Sequence, residues 1–307
     1  MKKIVITGPT GAIGHALIER YLAKGSEVYA ICRPGSERIK SLSRHYRLHI
    51  VEKDLSELNK AVQSLPQDCD VLYHFGWAGT FGDARNNMLL QIKNIQYTLD
   101  AVKLAKDCGC SVFIGAGSQA EYGRVEGNLC PDTPAFPENG YGMAKLCAGQ
   151  MSRLEAKKLG LKHIWTRILS VYGPYDGANT MVMSTISKLL KGDKPSFTKG
   201  EQKWDYLYSK DAAGLMIALA EKGIDGKIYC LGSGKARPLK EYIEAIRDNI
   251  DEKLQLGLGD IPYGEKQVMY LCADTTDIIT DLQYKYEYTF LEGIRETITW
   301  VKERKLD

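Results

Sequence analysis

The run Lys3-Ile-Val-Ile-Thr7 leads at once into Gly8-Pro-Thr-Gly11-Ala-Ile-Gly14, and from there into a stretch with Ile13, Leu17, Ile18 and Leu22 on one helical face. A short apolar run that ends in spaced glycines and opens a helix constrains the fold more than any other part of the chain. An apolar strand of this kind is buried on both faces, and the helix that leaves it returns the chain to a parallel neighbour. Each glycine has a distinct role at this spacing. Gly8 admits a tight turn, Gly11 lets backbone approach a pyrophosphate, and Gly14 lets the helix pack on the strand. Strand, glycine turn and helix in this order predict a dinucleotide site at the start of the helix.

The alternation continues along the first half. Apolar runs at 27–32, 48–52, 70–75, 111–115 and 163–168 read as strands. Helices are expected at 13–23, at 86–107 with Leu89, Ile92, Tyr97, Leu99 and Leu104 as candidate inner positions, and from Tyr141 to about 158. Strands alternating with helices predict an α/β fold with a doubly wound parallel sheet, and such sheets bind ligands beyond the carboxyl ends of their strands. The glycine turn, Phe75-Gly76-Trp77-Ala78, Ser118 and residues 167–174 all follow predicted strands, so they should converge on one edge. After Pro174 the loops lengthen. A helix near 211–220 and a strand at 227–231 return to the sheet, whereas 239–249 and 290–302 read as part of a smaller mixed α/β lobe. The expected division is 1–170 with about 205–235 as dinucleotide-binding domain, and about 171–204 with 236–307 as substrate lobe.

With 41 basic and 38 acidic residues among 307, the charges nearly balance and lie dispersed. That pattern predicts solvated helix faces rather than a nucleic-acid surface. The N-terminal apolar run is too short for a signal peptide or membrane span, which points to a cytoplasmic protein. The eight cysteines are scattered in apolar contexts, and Cys108-Gly-Cys110 is their only close pair. Without a Cys-x-x-Cys pair and a second ligand pair the reading is reduced thiols and no metal site.

The end of the second strand reports on the dinucleotide. An acid there bonds the adenosine ribose 2′-hydroxyl of NAD, and a basic residue accommodates the 2′-phosphate of NADP. The chain has Cys32-Arg33-Pro34, with Lys2, Lys3 and Arg38 as further positive charge. Asp54-Leu55, after the third strand, is placed to cap the adenine edge or to cap a helix. Tyr141 and Lys145, four apart, share a helical face. A cation beside a phenol favours phenolate, and a tyrosine acting near neutral pH needs its pKa lowered by roughly three units. Ser118 is the candidate partner for the reacting oxygen.

These residues resemble the extended short-chain dehydrogenase/reductases of the nucleotide-sugar epimerase/dehydratase group. The likeness spans nearly the whole chain and rests on residues 7–14, 54–55, 74–78, Asn94, 118–123, 141–145, 167–174 and 204–211. It implies a Rossmann-type sheet with Ser118, Tyr141 and Lys145 as catalytic residues, and Asn94 ordering the lysine and a water. It places the cofactor against Gly8, Thr10, Gly11, Ala12, Ile13, Gly14, Arg33, Asp54, Leu55, Phe75, Gly76, Trp77, Leu169 and the Tyr141–Lys145 pair. It places a nucleotide-sugar against Gln119, Ser170, Thr180, Trp204 and Arg237, with Asp205 as a residue that supports a loop. The group commonly forms homodimers through helices corresponding to about 86–107 and 141–158.

Three departures from the group narrow the expectation. Gln119-Ala120 stand where 4,6-dehydratases carry an Asp-Glu pair, and Glu121 falls one residue late. Ser170 replaces the usual asparagine. Cys32-Arg33 replace the acid of epimerases that hold NAD tightly. The chain therefore looks most like an NADP(H)-preferring reductase, with NAD(H) possible, acting on the 4-keto group of a CDP-, dTDP-, GDP- or UDP-linked deoxysugar. The alternatives are an NAD-dependent 4-epimerase of the UDP-hexose type and a non-catalytic nucleotide-binding relative.

Overall fold

The computed structural model describes residues 2–265 and 267–304. Strands β1 (Lys3–Thr7), β2 (Glu27–Cys32), β3 (Leu48–Glu52), β4 (Val71–His74), β5 (Val112–Ser118) and β6 (Lys162–Ile168) alternate with helices α1 (Ala12–Ala23), α2 (Leu58–Ala61), α3 (Met88–Asp107) and α4 (Gly140–Leu159). Then follow β7 (Ser170–Tyr172), α5 (Met181–Leu189), β8 (Ser196–Phe197), β9 (Lys203–Tyr208), α6 (Ser209–Lys222), β10 (Ile228–Leu231), β11 (Ala236–Pro238), α7 (Leu239–Asp248), β12 (Gly257–Leu258), β13 (Tyr270–Leu271) and α8 (Phe290–Arg304).

Seven strands form one parallel sheet in the order β10-β6-β5-β4-β1-β2-β3. The chain runs outward from β1 to β3, then crosses back to β4 on the other side of β1. That reversal opens a crevice at the carboxyl ends of β1 and β4, where ligands of such sheets sit. Successive side chains of a strand point to opposite faces, and each face is apolar. Ile4 and Ile6 of β1 pack with Leu17, Ile18 and Tyr21 of α1 and with Leu215 and Leu219 of α6. Val5 packs on the other side with Ala101, Val102 and Ala105 of α3 and Ala156 of α4. A second sheet joins β7, β11 and β13 to β9. It lies with a separate core in which Val182, Ile186, Ile246, Ile294 and Ile298 are buried.

The expected inner face of α3 needs correction. Leu89 and Ile92 are 76% and 60% exposed, whereas Leu104 is buried as expected, together with Gln91, Asn94, Thr98, Ala101, Val102 and Ala105. These positions follow the helical period, but small and polar side chains hold them. They allow α3 to lie close to α4, whose buried residues are also small apart from Lys145: Gly140, Gly142, Ala144, Ala148, Gly149, Ser152 and Ala156.

Trp165 of β6 fixes the seat of α4 on the sheet. A Cβ at Gly149 would stand 2.7 Å from its ring, and Cβ atoms at Gly115 and Gly117 of the neighbouring strand would collide with it. The indole therefore fills space that three missing side chains leave, and it sets the height at which Tyr141 and Lys145 project. Gly149→Val overpacks this contact and is expected to lower stability by about 2 kcal/mol, measured as a fall in the urea midpoint at unchanged slope.

Candidate active site

The glycine turn has the geometry of a cradle. Gly8 adopts φ +66°, and a Cβ there would stand 2.7 Å from the Gly76 nitrogen. Gly8 is thus required twice, by its backbone conformation and by the approach of the β4 loop. Around Gly11 a Cβ would meet nothing within 4 Å, so this backbone borders open space at the start of α1. Gly14 differs from expectation: its missing Cβ makes room for the Pro9 backbone, 2.5 Å away, rather than for the strand. Open backbone at a helix N-terminus, where N–H groups and the helix dipole favour anions, fits a dinucleotide pyrophosphate. Thr10, Ala12 and Ile13 line the same turn, partly exposed.

The edge after β2, where the sequence reading expects the adenosine, is more tightly built than the sequence suggested. Arg33 is exposed just beyond β2. An acid does stand nearby, but β3 supplies it: Glu52 Oε2 accepts the Gly35 N–H at 3.1 Å. Arg38 donates from Nη2 to the Thr10 carbonyl at 2.6 Å and to the Tyr175 carbonyl at 3.4 Å, which ties the glycine turn to the segment after β7. Lys2 and Lys3 do not reach this region. They begin β1, at the opposite edge of the sheet, and pair with Glu221 and Asp68. Asp54 accepts the Ser56 N–H at 3.0 Å and so caps the short turn that follows, and Leu55 packs beside Gly76.

Beneath the β4 loop runs a hydrogen-bonded chain with no sequence signature. The Gly76 N–H donates to Thr7 Oγ1 at 3.1 Å, and Thr7 Oγ1 lies 2.9 Å from His74 Nδ1. His74 Nε2 is 3.4 Å from Thr98 Oγ1, which donates to the Asn94 carbonyl at 2.9 Å. The Thr98 proton is committed to that carbonyl, so the network assigns the His74 proton to Nε2 and makes Nδ1 an acceptor. Burial pushes His74 down to about 3, with the nearby Lys145 acting in the same direction, so the ring is neutral. Asn94 grips Ala78 from both sides: Oδ1 accepts the Ala78 N–H and Nδ2 donates to its carbonyl, each at 2.8 Å. Through these two bonds it holds the β4 loop.

Lys145 is buried, donates from Nζ to the Ala116 carbonyl at 2.5 Å, and lies 3.7 Å above the Trp77 ring. Burial pushes its ammonium from 10.5 down to about 7, while Glu121 opposes the shift. Trp77 also stands edge-on to Tyr141 at 6.0 Å and donates from Nε1 to Gln91 Oε1 at 2.9 Å. Tyr141 is half-buried. Burial raises its pKa; a hydrogen bond with Ser118 and the Arg85 guanidinium pull it down, and Glu121 adds to the rise. The lowering that a tyrosine acting near neutral pH needs is therefore not supplied by these groups.

Ser118 caps a short turn whose Ala120 N–H donates to its Oγ at 3.2 Å, and its own N–H donates to Glu121 Oε1 at 2.9 Å. Glu121 is fully buried and also accepts from Trp165 Nε1 at 3.0 Å and Arg167 Nε at 2.8 Å. It is turned toward β6, whose Trp165 and Arg167 hold it. Gln119 is half-buried in the turn itself.

Further along the edge, Trp204 Nε1 donates to Ser170 Oγ at 2.7 Å, a bond between β9 and β7 within the second sheet. Arg237 is exposed and lies in register with Trp204. Thr180 caps α5 and donates to Asp176 Oδ2 at 2.8 Å. Leu169 is buried among Tyr122, Leu129 and Cys230, and its N–H donates to the Leu231 carbonyl at 2.9 Å. Asp205 is fully buried and receives Ser233, Gly234 and Ala273 N–H groups, a purely structural clasp.

The sequence profile of the NAD dependent epimerase/dehydratase family matches residues 4–232, and the chain belongs to that family of enzymes. It is similar to an uncharacterized UDP-glucose epimerase of Bacillus subtilis, YtcB, at 23% identity over 315 residues covering 97% of this chain and 98% of the relative. Two solved structures share the fold. One is the UDP-N-acetylglucosamine 4-epimerase of Methanobrevibacter ruminantium M1, with a TM-score of 0.88, 23% identity and 99% of each chain covered. The other is the dTDP-glucose 4,6-dehydratase DesIV of Streptomyces venezuelae with NAD bound, with a TM-score of 0.86, 20% identity, and 99% of this chain and 98% of that one covered. Among the described residues no helix is long and apolar enough to cross a membrane.

The buried lysine has a measurable signature. Between about pH 7 and its ordinary 10.5 the unfolded chain binds a proton at Lys145 that the folded chain does not. Stability therefore rises with pH over this window. Lys145→Met removes the titration. In paired urea unfolding of cofactor-free protein, wild type is expected to gain stability relative to Lys145→Met between pH 7 and pH 10. A constant difference would mean that the ammonium is not penalised by burial.

Proposed function

We propose that the chain reduces the 4-keto group of a nucleotide-linked deoxysugar, drawing on NADPH in preference to NADH. The observation that carries this reading is the setting of Tyr141: a phenol beside the Ser118 hydroxyl and under the Arg85 guanidinium, with the carboxylate that acts on it, Glu121, locked in a buried pair with Arg167. A ketone that becomes an alcohol needs a proton donor at its oxygen. Removing water from a sugar needs additional acid–base groups near the neighbouring carbons, and Gln119-Ala120 supply no carboxylate.

When bound along the glycine turn, the cofactor supplies the hydride. Tyr141 gives its proton to the developing alkoxide, Ser118 holds that oxygen by a hydrogen bond, and Lys145 reaches a nicotinamide ribose and restores charge beside the phenolate. The loop Phe75–Gly76–Trp77, held by Thr7 and Asn94, forms the floor. Exposed Arg33 supports the choice of a 2′-phosphate, while Glu52 beside it and the relatives' use of NAD favour a second reading, a 4-epimerase with resident NAD. We assign the nucleotide diphosphate to the smaller lobe, 171–204 and 236–307, near Thr180, Trp204 and Arg237. We also assign α3 and α4 to a homodimer contact, since Met88, Leu89, Ile92, Met143, Met151 and Leu154 stand exposed along them.

Tyr141→Phe is expected to lower NADPH-dependent turnover of nucleotide-linked ketosugars by about 10²–10⁴ while leaving cofactor binding, read by thermal stabilisation, unchanged. Equal activity of the two proteins would remove Tyr141 from the chemistry. Consumption of neither NADPH nor NADH, with interconversion of a sugar pair on copurified NAD, would establish the epimerase reading instead.

A further inference from the structure

The nearest cation to the ring of Tyr141 is not Lys145. Arg85 Cζ stands 4.5 Å from the ring centroid, and Lys145 Nζ stands 5.8 Å from it. Arg85 comes from the turn between Gly82 and Asn86, fifty-six residues before the tyrosine (141 − 85) and on a different element.

That turn is held firmly. Gln91 of α3 is buried and donates from Nε2 to the carbonyls of Gly79 and Ala84 at 2.8 and 3.0 Å. Asn86 Oδ1 accepts the N–H of Gly140, the residue before Tyr141, at 3.1 Å. A Cβ on Gly140 would stand 3.0 Å from the Arg85 carbonyl, so the two backbones are in close contact. The guanidinium makes a long hydrogen bond of 3.4 Å from Nη1 to the Thr80 carbonyl. With no carboxylate paired to it among the described residues, its charge is spent on the aromatic ring.

We propose that Arg85 is a positioning residue for the reaction: seated on the Tyr141 ring, it is the permanent cation under which the phenol gives up and regains its proton. The inference rests on Tyr141 as the proton donor. Lysine and arginine differ here in a way that matters. A buried ammonium loses its proton readily, whereas a guanidinium stays charged throughout the working range. Lys145 sits deep in the protein, so its charge varies with pH and surroundings, and Arg85 provides the part of the field that does not vary. The groups facing Tyr141 are few. Ser118 contributes a hydroxyl from β5, Glu121 a buried anion from the turn after it, Trp77 a ring from the β4 loop, Lys145 a cation from α4 itself, and Arg85 the cation from the 82–86 turn.

The titration of Tyr141 tests this without substrate or cofactor, so failure here leaves the reductase reading standing. The full chain is labelled with [ζ-¹³C]tyrosine, and the Tyr141 resonance among the 18 tyrosines is assigned with Tyr141→Phe. Arg85→Gln is expected to raise the pKa of that resonance by about one unit, more than Lys145→Met raises it at the same ionic strength. Arg85→Lys is expected to restore most of the difference. The remaining tyrosine resonances report that each variant is folded. With an active substrate in hand, the basic limb of the kcat profile for reduction should move upward by the same amount in Arg85→Gln, because the donor stays protonated to higher pH. An unchanged Tyr141 titration in a folded Arg85→Gln, or a larger shift in Lys145→Met than in Arg85→Gln, would overturn the proposal.

Discussion

A carboxylate without access to water holds the reacting edge of this protein together. Glu121 receives the Ser118 N–H, the Trp165 indole N–H and the Arg167 Nε–H, so one side chain joins the end of β5 to two positions of β6. A buried anion is tolerated only when it is paired and its lone pairs are filled, and here three donors, one of them the Arg167 guanidinium, meet that condition. The arrangement orients Ser118 through its backbone and keeps Trp165 in the plane against which α4 rests. The height of α4 in turn decides where Tyr141 and Lys145 stand. Geometry at the site thus follows from an interaction that never touches a ligand.

The same anion shapes the electrostatics. It favours charge on Lys145 and disfavours it on Tyr141, while burial opposes charge on both. The result is a phenol that holds its proton and a lysine whose ammonium is easily lost. Such a site suits the proposed delivery of a proton to a ketone oxygen. It also makes the chemistry sensitive to any group that adds permanent charge, and the surrounding loop offers one.

Much of the sheet could be read from the chain because strand burial has a plain signature. The runs at 3–7, 27–32 and 48–52 coincide with β1, β2 and β3; β1 and β2 are mostly buried and read as apolar runs, whereas the edge strand β3 buries only Val51. The glycine turn, Ser118, Tyr141 and Lys145 were legible because their spacing matches elements that follow strands. The inner face of α3 was not. It packs through Gln91, Asn94, Thr98 and small residues, which resemble a surface, while Leu89 and Ile92, which resemble a core, stand exposed. Nor did the sequence reveal the Thr7–His74–Thr98 chain, the grip of Asn94 on Ala78, or the contacts of Trp77 and Arg85 with the Tyr141–Lys145 pair. These join residues that are distant in sequence and share no period, so only the folded backbone brings them together. Arg38 and Glu52 show the same limit at the adenosine end, where β3 supplies the acid that β2 lacks.

The proposed reaction is a net transfer of hydride from an exchanging cofactor to a nucleotide-linked ketone. NADPH deuterated at the transferable C4 position of the nicotinamide, incubated with the enzyme and nucleotide-linked 4-ketosugars, tests it by mass spectrometry of the sugar. The account predicts one deuterium on the newly formed carbinol carbon for each NADPH oxidised. Sugar that changes configuration without deuterium, or without NADPH oxidation, would contradict it.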